Sequence, residues 1–113
     1  MLSEHNRRGK LSINEFIDLI NKYKENIETT DHTFFRLSEK QRKIYDEQKL
    51  KDYLFNKKPL EIWIQENDNY TAFYELETDK NKRLKIILSL HPNKIYIVTF
   101  YILNIQQMQE LGK

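Results

Sequence analysis

The sequence predicts an α+β fold, with two to three N-terminal helices packed on one face of a four-stranded antiparallel β-sheet. Three observations carry this expectation. Two runs of β-branched, leucine and aromatic residues, Leu84 to Leu90 and Ile95 to Leu103, flank His91-Pro92-Asn93-Lys94, whose Pro-Asn pair signals a turn, so the stretch reads as a β-hairpin. From Leu60 the apolar period becomes two, with Leu60, Ile62 and Ile64 alternating with Glu61, Trp63 and Gln65. Before that point the period is helical.

Met1 to Lys10 reads as a polar lead. Ser12 with Glu15 then makes a capping box, and Ile13, Phe16, Ile17, Ile20, Tyr23 and Ile27 recur at helical spacing, which predicts a helix from Ser12 to about Ile27. Gly9 and Glu15 have the separation found in the tail of an EF-hand loop. The first ligand position would then be Glu4 and the fifth Arg8, and a cation facing an arginine is repelled, so the segment reads as a capped helix without calcium. Glu28-Thr29-Thr30-Asp31 breaks the helical pattern and reads as a short strand or an extended link. Asp31 and the Ser38/Gln41 pair are N-terminal signals for a second helix, and Asp46 caps a third with Leu50, Tyr53 and Leu54 inward, ending at Asn56-Lys57-Lys58-Pro59. Asn67-Asp68-Asn69 is a turn, Tyr70 to Leu76 a strand, and residues 78–82 a longer loop.

Simple hairpin registers put Leu60, Ile62, Ile64, Ala72, Tyr74, Leu76, Ile86, Leu88, Ile95, Ile97 and Leu103 on the helix side of the sheet. The other side receives Trp63, Phe73, Lys85, Ile87, Ser89, Tyr96, Val98 and Phe100. Aromatic rings around a lysine make a stacking platform for single-stranded RNA, since every base offers a π-face and cations hold the phosphates. A protein-binding face has the same composition.

A chain of 113 residues is one domain with room for a real core. Charged residues make up 32%, yet the net charge is only +2, so any grip on nucleic acid comes from a local patch and not from bulk charge. Without cysteine there is no disulfide, thiol nucleophile or cysteine zinc site, and the default setting is the cytoplasm. The three histidines are too scattered to suggest zinc, and the sequence suggests no cofactor. No apolar run approaches membrane-spanning length.

The helical start His32-Thr33-Phe34-Phe35-Arg36-Leu37, the lysine within a strand at Lys85 and the closing strand Ile97-Val98-Thr99-Phe100-Tyr101 together resemble small toxins of the RelE-like (barnase–EndoU–colicin–RelE) endoribonuclease superfamily. The resemblance covers residues 28–103, leaving residues 1–27 as a lead plus N-terminal helix and 104–113 as a polar tail. It implies metal-independent RNA cleavage by 2′-OH attack, with RNA, including ribosome-bound mRNA, and an antitoxin protein as partners. The family's further arginine is blurred here among Lys40, Arg42 and Lys43.

The chemistry asks for residues of these types. The 2′-OH must lose a proton, the phosphorane needs positive charge, and the leaving 5′-oxygen needs a proton. His32 is the expected acid or base. Arg36 lies four residues on, which is one face of a helix, and Lys85 joins from the sheet to stabilise the phosphorane. Tyr101 or Thr99 supplies a hydroxyl. Lys40, Arg42, Lys43, Trp63, Tyr96 and Phe100 are the expected RNA-binding residues.

Each residue also has a plainer reading. His32 can cap a helix, Arg36 can pair with Glu28 or Glu39, Lys85 can guard a strand face, and the rings can be core. The sequence therefore leaves open a non-catalytic module that binds RNA or protein, and a small structural homodimer.

Overall fold

The computed structural model describes residues 7–30, 33 and 44–105. It shows a six-stranded mixed sheet in the order β1-β3-β4-β5-β6-β2. The strands are β1 (Arg7–Leu11), β2 (Ile27–Thr29), β3 (Glu61–Gln65), β4 (Tyr70–Leu76), β5 (Asp79–Leu90) and β6 (Ile95–Asn104). Among the described residues the helices are α1 (Ile13–Lys22), between β1 and β2, and α2 (Glu47–Asn56), between β2 and β3. The expected four-stranded antiparallel sheet is thus corrected. The meander β3 to β6 is the middle of a larger sheet, with β1 antiparallel on β3 at one edge and β2 parallel on β6 at the other.

Neither added strand shows a clear apolar period, although β2 overlaps the Glu28–Asp31 stretch that read as a short strand or an extended link. The Arg7-Arg8-Gly9-Lys10 segment carries the charges that edge strands use to discourage further pairing, so it read as a polar lead. β2 is three residues long and buries Ile27 alone. The two edges belong to one β-α-β connection, because α1 crosses the sheet between them.

The local signals at the helix starts are sound. Ser12 caps α1, its hydroxyl accepting the Glu15 N–H at 3.1 Å, and Asp46 caps α2 by accepting the Lys49 N–H at 2.9 Å. The far end of α1 differs from expectation. The helix stops at Lys22, a turn follows with the Asn26 N–H donating to the Tyr23 carbonyl at 2.7 Å, and Ile27 pairs with Ile95. Ile27 has helical spacing in the sequence, but the backbone of β6 offers it ladder hydrogen bonds and a buried place. The segment Asp31 to Arg36 and the helix restart at Ser38 lie outside the described residues, apart from Thr33. The hydroxyl of Thr33 is buried and donates to the Ile97 carbonyl at 2.6 Å.

The loop expected at residues 78–82 is also shorter than predicted. The chain turns at Glu77 and Thr78, and β5 already begins at Asp79, with a register shift between Glu75 and Leu76. Asp68 takes a φ of 67° in the turn after β3, a conformation that a short polar side chain tolerates.

The core lies between the helices and one sheet face. Phe16 and Ile20, four apart on α1, and Leu50, Tyr53 and Leu54 of α2 cover Ile62, Ala72, Tyr74, Leu84, Ile86, Leu88, Ile95 and Ile97. The expected burial of Ile86, Leu88 and Ile97 is seen, whereas Leu103 is only half-buried. The sorting of faces needs two further corrections. Ile87 pairs with Thr99 but Leu88 with Ile97, so Val98 is an extra residue, a β-bulge in β6. Beyond it every side chain changes side. Phe100 therefore joins the core, its ring centroid 5.8 Å from that of Tyr45, and Leu103 leaves it. Leu60 precedes β3 and is 48% exposed.

Candidate functional site

The sheet face away from α1 and α2 is built by the alternate residues of the same strands. Its central row runs Glu61, Phe73, Lys85, Tyr101 across β3 to β6, and the next row runs Lys10, Trp63, Thr71, Ile87, Thr99 from β1 to β6. This face buries polar groups: Lys85 is 7% exposed and Thr71 3%, beside Phe73 at 1%. A lysine so placed is held by its neighbours, and its ammonium lies 5.4 Å from the centre of the Tyr101 ring, within cation–π range.

Of the sequence-predicted catalytic residues, the structure brings three together. Lys85 and Tyr101 are a direct cross-strand pair, and Thr99 is two residues from Tyr101 on the same face, about 7 Å along the strand. His32 and Arg36 lie outside the described residues, as do Lys40, Arg42 and Lys43 of the expected RNA-binding set.

The remaining expected RNA-binding residues divide. Trp63 is on this face, half-buried, its indole N–H donating to Glu61 at 3.0 Å and Lys10 lying 5.1 Å from the ring centre. Tyr96 is on it too, opposite Ser89, roughly 13 Å along the sheet from the Lys85 row. Phe100 is not. The bulge at Val98 turns it into the core, so it is no part of any aromatic platform.

At the far end of the face, next to the parallel edge strand, Lys94 donates to Glu28 at 2.7 Å. This bond holds the Lys94 ammonium above its usual pKa. Nearby the Ser89 hydroxyl lies 3.1 Å from Nε2 of His91, and His91 meets Tyr96 edge to face at 5.0 Å. Sequence reasoning assigned nothing to His91, because a histidine in a turn has no pattern around it.

Two further residues of the face were missed. Gln65 and Thr71 are both buried, and the Gln65 amide donates to the Thr71 hydroxyl at 2.7 Å. A glutamine in an alternating strand reads as an outward polar residue, and only the register shows it to be enclosed. The shallow depression along α2, lined by Ile44, Asp46, Gln48, Lys49 and Asp52, lies apart from all of these. Among the described residues no three histidine or carboxylate side chains gather as a metal site would require. Nor is any described helix long and apolar enough to cross a membrane.

The model of the MJ0788 family matches residues 14–88. The chain belongs to the MJ0788 family. The matched segment runs from α1 into β5, so it includes Lys85, Gln65 and Thr71 and stops short of Thr99 and Tyr101 on β6. No curated protein and no solved structure matches the chain.

Proposed function

We propose that the chain is a metal-independent endoribonuclease that binds single-stranded RNA on the sheet face away from the helices. The observation that carries the reading is the cluster of Lys85, Tyr101 and Thr99, a cation beside two hydroxyls on adjacent rows of one face. In the reaction the ribose 2′-oxygen gives up its proton and attacks phosphorus, and the 5′-oxygen leaves with a proton. The products are a 2′,3′-cyclic phosphate and a free 5′-hydroxyl. The Lys85 ammonium faces the charge that grows on the phosphorane, and the hydroxyls of Tyr101 and Thr99 donate to its non-bridging oxygens. The acid–base step belongs to His32, and Arg36 adds a second cation, as the resemblance to RelE-like toxins implies. On this reading the protein is cytoplasmic, acts on mRNA, and has an acidic antitoxin as its partner.

The test is incubation of end-labelled RNA with the protein in a chelator, looking for 2′,3′-cyclic phosphate ends. Lys85→Ala is expected to lower the rate about a hundred- to a thousandfold, the range found when one group stabilising a developing charge is removed. His32→Ala is expected to lose about two to four orders of magnitude. Both variants should keep more of their RNA binding than of their cleavage. RNA bound but never cut would support the second reading, a non-catalytic RNA- or protein-binding module. That reading is favoured by the partly exposed aromatic side chains of Trp63, Tyr96 and Tyr101, which share the face.

A further inference from the structure

The turn between β5 and β6 carries a cluster that RNA cleavage at Lys85 does not use. The Ser89 hydroxyl lies 3.1 Å from Nε2 of His91. The backbone beneath the two residues is fixed on both sides: Ser89 pairs with Tyr96, and the His91 N–H closes the turn by donating to the Lys94 carbonyl at 2.8 Å. The imidazole is held edge to face against the Tyr96 ring, with centroids 5.0 Å apart. The Lys94 ammonium lies 5.6 Å from the centre of that same ring. A hydroxyl, an imidazole and a cation are thus gathered around one phenol. His91 is exposed and Ser89 half-buried, so a small molecule reaches the pair from solvent and no cavity has to open.

We infer that Ser89 is a nucleophile with His91 as its general base, acting on small activated esters. A serine hydroxyl attacks a carbonyl as its proton is removed, and a histidine within hydrogen-bond reach, itself oriented by a third group, is the arrangement that removes it. The imidazole stands in water, where its tautomers exchange, so the form whose Nε2 accepts from Ser89 is always populated. Oγ bonds to the carbonyl carbon as Nε2 takes the proton. The bond to the leaving oxygen then breaks, and the departing alcohol or phenol takes that proton from His91. Water attacks the acyl-serine next with His91 again as base, and the carboxylic acid departs as Ser89 regains its hydrogen. Lys94 supplies positive charge for the tetrahedral oxyanion but shares it with Glu28 at 2.7 Å. So weak an oxyanion partner confines the reaction to esters with good leaving groups, such as aryl esters, and excludes amides.

The experiment treats the protein with a fluorophosphonate probe, which traps an activated serine as a stable phosphonate ester, and follows 4-nitrophenolate release from 4-nitrophenyl acetate. Peptide mapping is expected to place the label on Ser89 and not on Ser12, an exposed serine whose hydroxyl bonds Glu15 instead of a histidine. Ser89→Ala should remove the label. His91→Ala should slow labelling and nitrophenolate release at least about a hundredfold, the lower end of what a general base contributes. Imidazole added to His91→Ala should restore part of the rate, which a loss of folding would not allow. Absence of label on Ser89, labelling as fast in His91→Ala as in the wild-type protein, or equal labelling of Ser12 would each overturn the assignment. None of these outcomes bears on RNA cleavage, which is measured separately.

Discussion

The two faces of one sheet differ in chemistry and in burial, the helix face being the more completely enclosed. Beneath the helices, the strands present Ile62, Ala72, Ile86, Leu88 and Ile97, all essentially without solvent contact. On the other side the same strands bury Lys85, Thr71 and Gln65 among Phe73 and Ile87. Burial of hydrocarbon stabilises by about 25 cal/mol per Å², whereas burial of an amide or ammonium costs free energy unless it is fully bonded. The helix face is therefore explained by folding alone. The other face sets polar groups at fixed positions between apolar ones, so its stability depends on the partners those groups find.

The strongest test of this contrast is insertion of one alanine between Thr99 and Phe100. The added residue would turn Phe100 away from the core and Tyr101 toward it, or the β5–β6 ladder would have to shift throughout. Loss of more than about 4 kcal/mol is expected, seen as failure to refold after denaturation or as a collapsed urea midpoint. Retention of the wild-type midpoint would mean that the register beyond Ile97 is not what separates the faces. Next is Ile97→Ala, which opens a cavity under α1 and α2 and should cost roughly 2–4 kcal/mol in urea unfolding. A cost under about 1 kcal/mol would show the helix face to be loosely packed.

Tyr74→Phe probes a polar intrusion on the helix face. The Tyr74 hydroxyl is buried without a partner, and burial pushes its pKa well up. Removing the oxygen should raise stability by about 1 kcal/mol, and a loss instead would mean that the hydroxyl is bonded in solution. The smallest effect concerns pH. Glu47 at the start of α2 accepts from the Thr29 hydroxyl at 2.8 Å and pairs with Lys51 at 3.1 Å. The Thr29 bond first, and Lys51 after it, hold the Glu47 carboxyl below its usual pKa. A carboxylate with a depressed folded pKa contributes stability above its unfolded value and loses it as pH falls through the folded value. Glu47→Gln should therefore remove a few tenths of a kcal/mol near neutral pH and nothing below the carboxylate range, because the pair is largely exposed. A difference that persists in acid would show that the charge is not the cause.

What the sequence alone determined is local. Ser12 and Asp46 stop the chain from extending and start helices because their oxygens meet backbone donors three residues on. The alternation in Glu61 to Gln65 and Tyr70 to Leu76, and the apolar runs around His91-Pro92-Asn93-Lys94, specify strands because apolar side chains on one side of a pleat must find cover. The pairing next to the turn, Leu90 with Ile95 and Ser89 with Tyr96, was also within reach, since a tight hairpin sets its own register there, whereas Lys85 meets Tyr101 only through the bulge at Val98. The tertiary structure decided the rest. Arg7–Leu11 and Ile27–Thr29 are strands only because the open edges of β3 and β6 offer them hydrogen bonds. Phe100 is core and Leu103 is not because of a bulge that no local pattern marks. Gln65 is an enclosed amide only because the neighbouring strand brings the Thr71 hydroxyl to within 2.7 Å of it. Propensity and period act over a few residues, whereas edges, register shifts and the fate of a buried polar atom depend on partners that the chain meets only once folded.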